Sequence, residues 1–234
     1  MRTFTRLLLS SGIVIALAAG YFVLRQVFNP GRNVRVIEWI RNAEAHPDWA
    51  VQPGDRCGTA PFTMPTGGYI GFLWGDSFRP GHSHSGLDIF GGKPAGQTPV
   101  VAAYDGYLTR LADWKSSLII RIPSDPLQPD RQIWTYYTHL ASTEGVSLIS
   151  DDYPPGTTER FVRAGTFLGW QGSYSGNPEK PVGVHLHFSI VRDDGGRFLN
   201  ELEIKNTLDP SPYFQLSLDA DKNQNEVPVC RTTE

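Results

Sequence analysis

The chain has 234 residues, 40% of them hydrophobic and 19% charged, which suits one well-packed domain with additional segments and argues against a disordered protein. Its net charge of -3 and pI of about 6.1 argue against a nucleic-acid partner, which would require a basic surface. The 24 glycines and 18 prolines favour a β-rich fold with many turns over a helical bundle.

Residues 1–28 are predicted to be a membrane-anchoring helix or a cleaved signal peptide. The run 7–24 is uncharged and has arginines on both sides, and as a helix it would span about 27 Å, close to the thickness of a bilayer's hydrocarbon core. Ala16-Leu17-Ala18 offers a signal-peptide cleavage site, although the apolar run continues beyond it. The chain is therefore expected outside the cytoplasm, either held at the membrane by this helix or secreted.

Residues 29–65 are predicted to be a linker or arm that contains one short helix. Apolar residues between Val34 and Ala45 recur at helical spacing, and the side predicted to be apolar consists of Val36, Ile37, Ile40 and Ala43. The following residues are rich in proline and glycine. The pattern leaves open whether this arm covers and inhibits a functional site in the domain.

The two cysteines, Cys57 and Cys230, lie near the two ends of the predicted globular part. In an oxidising compartment they could form a disulfide that ties the C-terminal tail, residues 215–234, back to the domain. They lack the C-x-x-C spacing of a redox or zinc pair, so a structural role is favoured over two free thiols.

The region 66–214 is predicted to be an all-β domain. Short segments rich in β-branched and aromatic residues alternate with turn signals such as Asp105-Gly106. This spacing, without long helical patterns, indicates a sandwich or a barrel. The predicted strands are Tyr69–Trp74, Leu87–Phe90, Val100–Ala103, Tyr107–Leu111, Leu118–Ile122, Ile133–His139, Thr166–Trp170 and His185–Val191.

Five of the six histidines fall in three short segments, residues 81–88, 136–140 and 184–188. In an extended strand, His84, Gly86 and Asp88 project to one face, because side chains alternate between faces. Gly86 is predicted to leave room for a metal ion between the imidazole and the carboxylate.

The third segment has the same alternation. His185, His187 and Ser189 share one face of a strand, and the opposite face is apolar and expected to be in the core. Its members are Leu186, Phe188 and Ile190. A polar face backed by an apolar one places the histidines at the rim of a packed sheet.

Imidazole nitrogens together with one carboxylate are a ligand set that suits zinc, and three protein ligands leave a fourth position for water. As many as five imidazoles compete for these places, and spacing alone does not separate ligands from neighbouring catalytic groups. His46 lies outside every motif and is expected to be an ordinary surface histidine.

The ordered motifs resemble those of the lysostaphin-type (LytM-like) zinc endopeptidases of bacterial cell walls. The H-x-x-x-D motif of that family matches residues 84–88, its Y-x-H-L segment matches 137–140, and its H-x-H motif matches 185–187. The stretches 98–106 and 165–169 resemble the strands that frame these motifs. The resemblance covers residues 66–214.

This resemblance implies that His84, Asp88 and His187 bind Zn²⁺ and that His139 and His185 are catalytic. Which of the two removes a proton is left open. The implied fold is an antiparallel β-sandwich or barrel-like peptidase domain of the duplicated-hybrid-motif type.

The implied activity is hydrolysis of peptide bonds in peptidoglycan stem or cross-bridge peptides, with the N-terminal helix as the contact with the membrane. The alternative is a non-catalytic domain of the same fold that binds the wall or activates a hydrolase. Such a domain would be expected to lack one or more site residues, whereas all five positions are filled here.

Overall fold

The computed structural model describes residues 32–76, 81–216 and 226–229. The predicted anchor or signal peptide, residues 1–28, lies outside these ranges, and within them no helix is long and apolar enough to cross a membrane. Cys57 is buried in the main core, but Cys230 also lies outside the described residues, so their pairing stays a prediction.

The described chain begins with one short α-helix and continues mostly as β-strands. The helix is α1 (Arg32–Asn42), and single 3-10 turns occur near both ends of the domain. The strands are β1 (Tyr69–Phe72), β2 (Leu87–Phe90), β3 (Pro99–Val101), β4 (Gly106–Thr109), β5 (Leu118–Ile122), β6 (Ile133–Thr138), β7 (Arg160–Val162), β8 (Phe167–Trp170), β9 (Leu186–Arg192) and β10 (Thr207–Leu208).

The strands form two sheets in which every described pairing is antiparallel. The larger sheet has the order β1-β2-β9-β6-β5-β4-β7, with β10 pairing to β9, and the smaller consists of β3 and β8. The prediction of a mostly β domain is therefore confirmed, and all eight predicted strands appear. The sequence missed β7 and β10, which have only three and two residues and are too short for an alternating pattern.

The main core lies on one face of the larger sheet and also includes residues of the smaller sheet. The residues predicted to face it on β9, Leu186, Phe188 and Ile190, are fully buried there, and so are Leu87 and Ile89, which alternate with Asp88 on β2. Burying an apolar side chain of this size stabilises the fold by about 1.5–3 kcal/mol. Because strand side chains alternate, this packing directs Asp88 and His187 to the opposite face.

Helix α1 and the turn after it pack against the edge of the larger sheet with a face that includes two of the four predicted residues, Val36 and Ala43. Val36 and Trp39 are buried, whereas Ile37 and Ile40 are about half exposed, at 52% and 50%. The Trp39 indole N–H donates a hydrogen bond of 2.6 Å to the carbonyl oxygen of Phe90. Because tryptophan offers more apolar area than isoleucine and also needs a partner for its N–H, it sets the rotation of the helix.

The remainder of the arm packs into the domain. Val51, Phe62 and Met64 are fully buried members of the main core. The described part of the segment 29–65 is thus packed against the β-domain by apolar contacts. Where one domain ends and the next begins stays a prediction.

Candidate metal site

Two neighbouring strands and the loop before them bring the three predicted ligands together. Asp88 on β2 lies directly opposite His187 on β9, and the Asp88 Oδ1 and His187 Nδ1 atoms are 2.8 Å apart. His84, in the loop that leads into β2, places its Nε2 atom 3.0 Å from each of those two atoms. The predicted ligand atoms therefore converge on one point.

The hydrogen bonds on the far side of each imidazole determine which nitrogen faces this point. His84 Nδ1 lies 2.9 Å from the carbonyl oxygen of Leu73, which can only accept, so Nδ1 carries the proton and Nε2 presents a lone pair. His187 Nε2 lies 2.9 Å from the Ser189 hydroxyl, which can donate or accept; when His187 donates to it, Nδ1 keeps a lone pair. Two imidazole lone pairs and a carboxylate oxygen form a set of electron donors that suits a cation.

The spacing of these atoms fits a small metal ion. Tetrahedral zinc, with bonds of about 2.0–2.1 Å, holds its ligand atoms about 3.3 Å apart. The measured separations of 2.8 to 3.0 Å require only a small outward movement of the side chains. The group His84, Asp88 and His187 could therefore hold a metal ion.

The charge of Asp88 dominates the electrostatics of the group. Burial by itself would raise the pKa of Asp88, but His84 and His185 hold that pKa well below its ordinary value, so the carboxylate is ionised. Burial would likewise lower the pKa of His84, yet Asp88 raises it above its ordinary value. For His187 burial prevails over Asp88 and lowers the pKa.

The two predicted catalytic histidines lie next to the three ligands. His139 follows β6 in a left-handed backbone conformation, at φ 71°, and its ring centroid is 4.6 Å from that of His185. Each donates from Nδ1 to a backbone carbonyl, His139 to Tyr174 at 2.7 Å and His185 to Gly183 at 2.6 Å. Because a carbonyl only accepts, both rings keep Nε2 available for other partners.

Burial and the neighbouring histidines lower the pKa of His139 to about 3, so this ring is neutral near pH 7. His185 is fixed from two directions: its Nε2 lies 3.5 Å from Asp88 Oδ1, and the Phe90 ring stacks on it at 4.8 Å. The two rings are thus held in defined orientations by the groups around them.

All five residues line one cleft of about 720 Å³ that is open to solvent. His82 also lines it but is not among the three converging ligands, and His46 lies elsewhere, paired with Glu38. None of the arm residues 32–65 lines the cleft, so the described part of the arm does not cover the site. The cleft gives a substrate direct access to the histidines.

Gly86 has a different role from the predicted one. A Cβ atom at this position would overlap the carbonyl oxygen of Phe188 and lie 2.6 Å from the Ser189 hydroxyl. The space beside Gly86 is thus filled by β9, and no room is left there for a metal. The glycine instead allows the chain before β2 to approach β9 closely, and this approach aligns Asp88 with His187.

We expect Gly86→Ala to destabilise the protein, because the added methyl group must push the two strands apart. Overpacking of this kind costs about 1–3 kcal/mol in the free energy of unfolding. The matched control is Gly183→Ala, whose Cβ would meet only Phe90 and Ile40 at 3.7 and 4.0 Å. Urea unfolding of both variants measures the difference, and an unchanged midpoint for Gly86→Ala would refute this account of the glycine.

Ser189 supports His187 from behind. Its side chain is fully buried, and its hydroxyl fixes the His187 ring with Nδ1 toward Asp88. Strand alternation places Ser189 on the histidine face, but the sequence alone indicates no role for it. A polar side chain on a strand whose other face is apolar was the available signal.

Ser189→Ala should weaken zinc binding by about 10- to 100-fold, the usual effect of removing a group that orients a ligand. Competition with a chromogenic chelator measures the affinity, and Ser124→Ala, an exposed serine beyond β5, serves as the control. An affinity for zinc equal to that of the wild type would mean that the ring needs no such support.

The chain matches no family model and no curated protein. Among solved structures it is similar to a proposed glycyl-glycine endopeptidase, lytM, from Ruminococcus gnavus, with 24% identity and a TM-score of 0.36. That similarity covers 63% of this chain and only 50% of the other protein's length. A second similarity is to the complex of SpoIIIAH and SpoIIQ, with 14% identity and a TM-score of 0.35, covering 65% of this chain and 97% of the other. At TM-scores below 0.5, neither similarity establishes the family of this chain.

Proposed function

We propose that the protein is a zinc-dependent endopeptidase that hydrolyses peptide bonds in peptidoglycan stem or cross-bridge peptides. One observation carries the proposal: His84, Asp88 and His187 converge in an open cleft beside two further oriented imidazoles. A purely structural metal site would have its ligands closed around the ion and would need no such neighbours. The proposed class of protein is thus a hydrolase with a catalytic metal.

The three ligands would hold Zn²⁺, which supplies a Lewis acid for the peptide carbonyl and lowers the pKa of water. Asp88 contributes the negative charge that a divalent cation requires, and the bond to Leu73 keeps His84 in the tautomer that can bind it. The Ser189 hydroxyl holds the His187 ring with Nδ1 toward Asp88 and can accept from its Nε2, which is the tautomer that binding through Nδ1 requires. The chain's own contribution is therefore a pre-oriented set of donors.

His139 and His185 would transfer protons and stabilise the negative charge that develops at the reacting carbonyl. Each is anchored through Nδ1, so its Nε2 can accept a proton or, once protonated, donate one to an oxyanion or a leaving amine. His139 is neutral near pH 7, so its Nε2 carries a free lone pair. We assign proton transfer and oxyanion stabilisation to these two histidines together.

The peptidoglycan substrate is proposed from the family motifs in the sequence. Residues 66–214 would form the barrel-like peptidase domain of the duplicated-hybrid-motif type, with 29–65 as the arm and 215–234 as the tail. Residues 1–28 would place the domain outside the cytoplasm, at the membrane or secreted, where the wall is accessible. Peptidoglycan peptides and, through the N-terminal helix, the membrane are the proposed partners.

Digestion of purified muropeptides by the zinc-loaded protein, with the new termini identified by mass spectrometry, tests the proposal. We expect cleavage at one type of peptide bond, its loss in His139→Ala, and no change in His46→Ala, a histidine outside the cleft. Binding of muropeptides without any new terminus would refute the proposed endopeptidase activity and favour a non-catalytic wall-binding domain. Cleavage only of unrelated peptides would refute the wall substrate.

A further inference from the structure

We propose that Glu201, together with the hydroxyls of Tyr136 and Ser117, forms a subsite for a primary ammonium group of the peptide bound in the cleft. The inference deepens the proposed function, since it concerns the substrate of the same cleft. Four observations support it: position, acceptor chemistry, rigidity and charge.

The subsite lies in the same cleft as the converging ligands. Tyr136, Ser117 and Glu201 line it together with His187. Thr138 on β6 is paired with His187, and Tyr136 is two residues earlier on the same strand, about 7 Å away along it. A residue of extended peptide spans at most about 3.6 Å, so the ammonium group would belong to a residue within about two positions of the reacting bond.

The acceptors at this end of the cleft match an ammonium group. Ser117 Oγ lies 3.1 Å from the Tyr136 hydroxyl and 2.7 Å from Thr138 Oγ1, and the Glu201 carboxyl faces the same Tyr136 hydroxyl. An alkylammonium group has three N–H donors and no acceptor. One carboxylate and two hydroxyl oxygens offer it a full set of partners.

The loop that carries Glu201 is held in place by the surrounding structure. The Phe198 ring packs against Tyr136, with ring centroids 5.8 Å apart. The Asn200 carbonyl oxygen accepts a hydrogen bond of 2.9 Å from the Asn206 amide, and the Asn200 side chain accepts one of 3.1 Å from the Leu202 N–H. A carboxylate fixed in this way can bind a ligand without first ordering its own loop.

The charge of Glu201 is not balanced by the protein. Within the described residues, no lysine or arginine lines the cleft, and Glu201 has no ion pair. Burial raises the pKa of Glu201 above its ordinary value, although the hydrogen bond with Tyr136 lowers that pKa in part. By contrast Glu203, two residues later, is exposed and paired with Lys205 at 2.8 Å. A cation from the substrate would supply the positive charge that balances the Glu201 carboxylate.

The test uses a set of pentaglycine peptides with blocked ends, in which a single lysine replaces the glycine at each position in turn. Each peptide is compared with the same peptide acetylated on the lysine amine. Binding is measured by calorimetry with the zinc-loaded His139→Ala protein, so that hydrolysis does not consume the ligand. We expect the free amine to bind at least about tenfold tighter at one or two positions, as is usual for a charge-assisted hydrogen bond. Glu201→Gln should abolish that preference, and Glu203→Gln should leave it unchanged.

An equal affinity for free and acetylated peptides at every position would overturn the subsite, as would a preference that survives in Glu201→Gln. These outcomes are separate from the muropeptide digestion. Cleavage of muropeptides without an ammonium preference would support the proposed endopeptidase activity and refute the subsite. An ammonium preference without any cleavage would support the subsite and refute the endopeptidase activity.

Discussion

Replacing any one ligand, as in His84→Ala, Asp88→Ala or His187→Ala, should abolish stoichiometric zinc binding and hydrolysis together. Each substitution leaves two donors where three atoms now converge within 2.8 to 3.0 Å of one another. We expect zinc affinity to fall more than about a hundredfold, because even orienting groups behind a ligand contribute 10- to 100-fold. Metal analysis after dialysis against a weak chelator measures the occupancy.

Two controls separate loss of the metal from loss of the fold. His46→Ala removes a histidine that pairs with Glu38 outside the cleft and should retain one zinc per chain. Circular dichroism of each ligand variant should keep the β-sheet signal, since the main core lies on the other face of the sheet. Full zinc occupancy in His187→Ala would contradict the ligand set.

Replacing His139 or His185 by alanine should separate the two effects, with zinc retained and hydrolysis lost. Neither residue belongs to the converging group, so occupancy should stay near one per chain. Removal of a general acid or base lowers the rate by about 10²- to 10⁴-fold, and we expect kcat to fall within this range. Zinc analysis and turnover of a muropeptide substrate on the same preparations measure both effects.

The double variant distinguishes two arrangements of this pair. If His139 and His185 act in one proton-transfer unit, the loss in the double variant should be close to that of the more impaired single variant. Multiplied losses would indicate that the two act on separate steps. Wild-type turnover in both single variants would contradict any catalytic role for either ring.

Strand alternation was sufficient to predict the faces of β2 and β9. Leu87 and Phe188 are buried in the core, and Asp88 and His187 face each other across the sheet, as the period of two requires. The alternation could not give the register between strands that are about a hundred residues apart in the chain. Only the motif resemblance linked them before the structure did.

The interpretation of Gly86 failed because a sequence gives no information on the neighbouring strand. Missing side chains leave space only where nothing else fills it, and here the Phe188 carbonyl does. The prediction that Ile37 and Ile40 belong to the packed face of helix α1 was wrong for a related reason. The spacing of two isoleucines favours their side of the helix over that of one tryptophan. The spacing does not reveal that the Trp39 N–H donates a hydrogen bond to the carbonyl oxygen of Phe90.

The sequence does not single out Glu201, because the role of this residue depends on distant residues. It follows the turn after β9, in a stretch that mixes polar and apolar residues without a strand or helix period. Its proximity to Tyr136, 65 positions earlier in the chain, arises from the pairing of β6 with β9 and the packing of Phe198. Long-range packing of this kind leaves no local signal.

Diffraction from zinc-loaded crystals at the zinc absorption edge tests the metal site most directly. We predict one strong anomalous peak about 2.0–2.2 Å from His84 Nε2, Asp88 Oδ1 and His187 Nδ1, with the fourth position open to the cleft. No anomalous peak, or one bound by other side chains such as His82 and His139, would contradict the ligand set and with it the proposed enzyme.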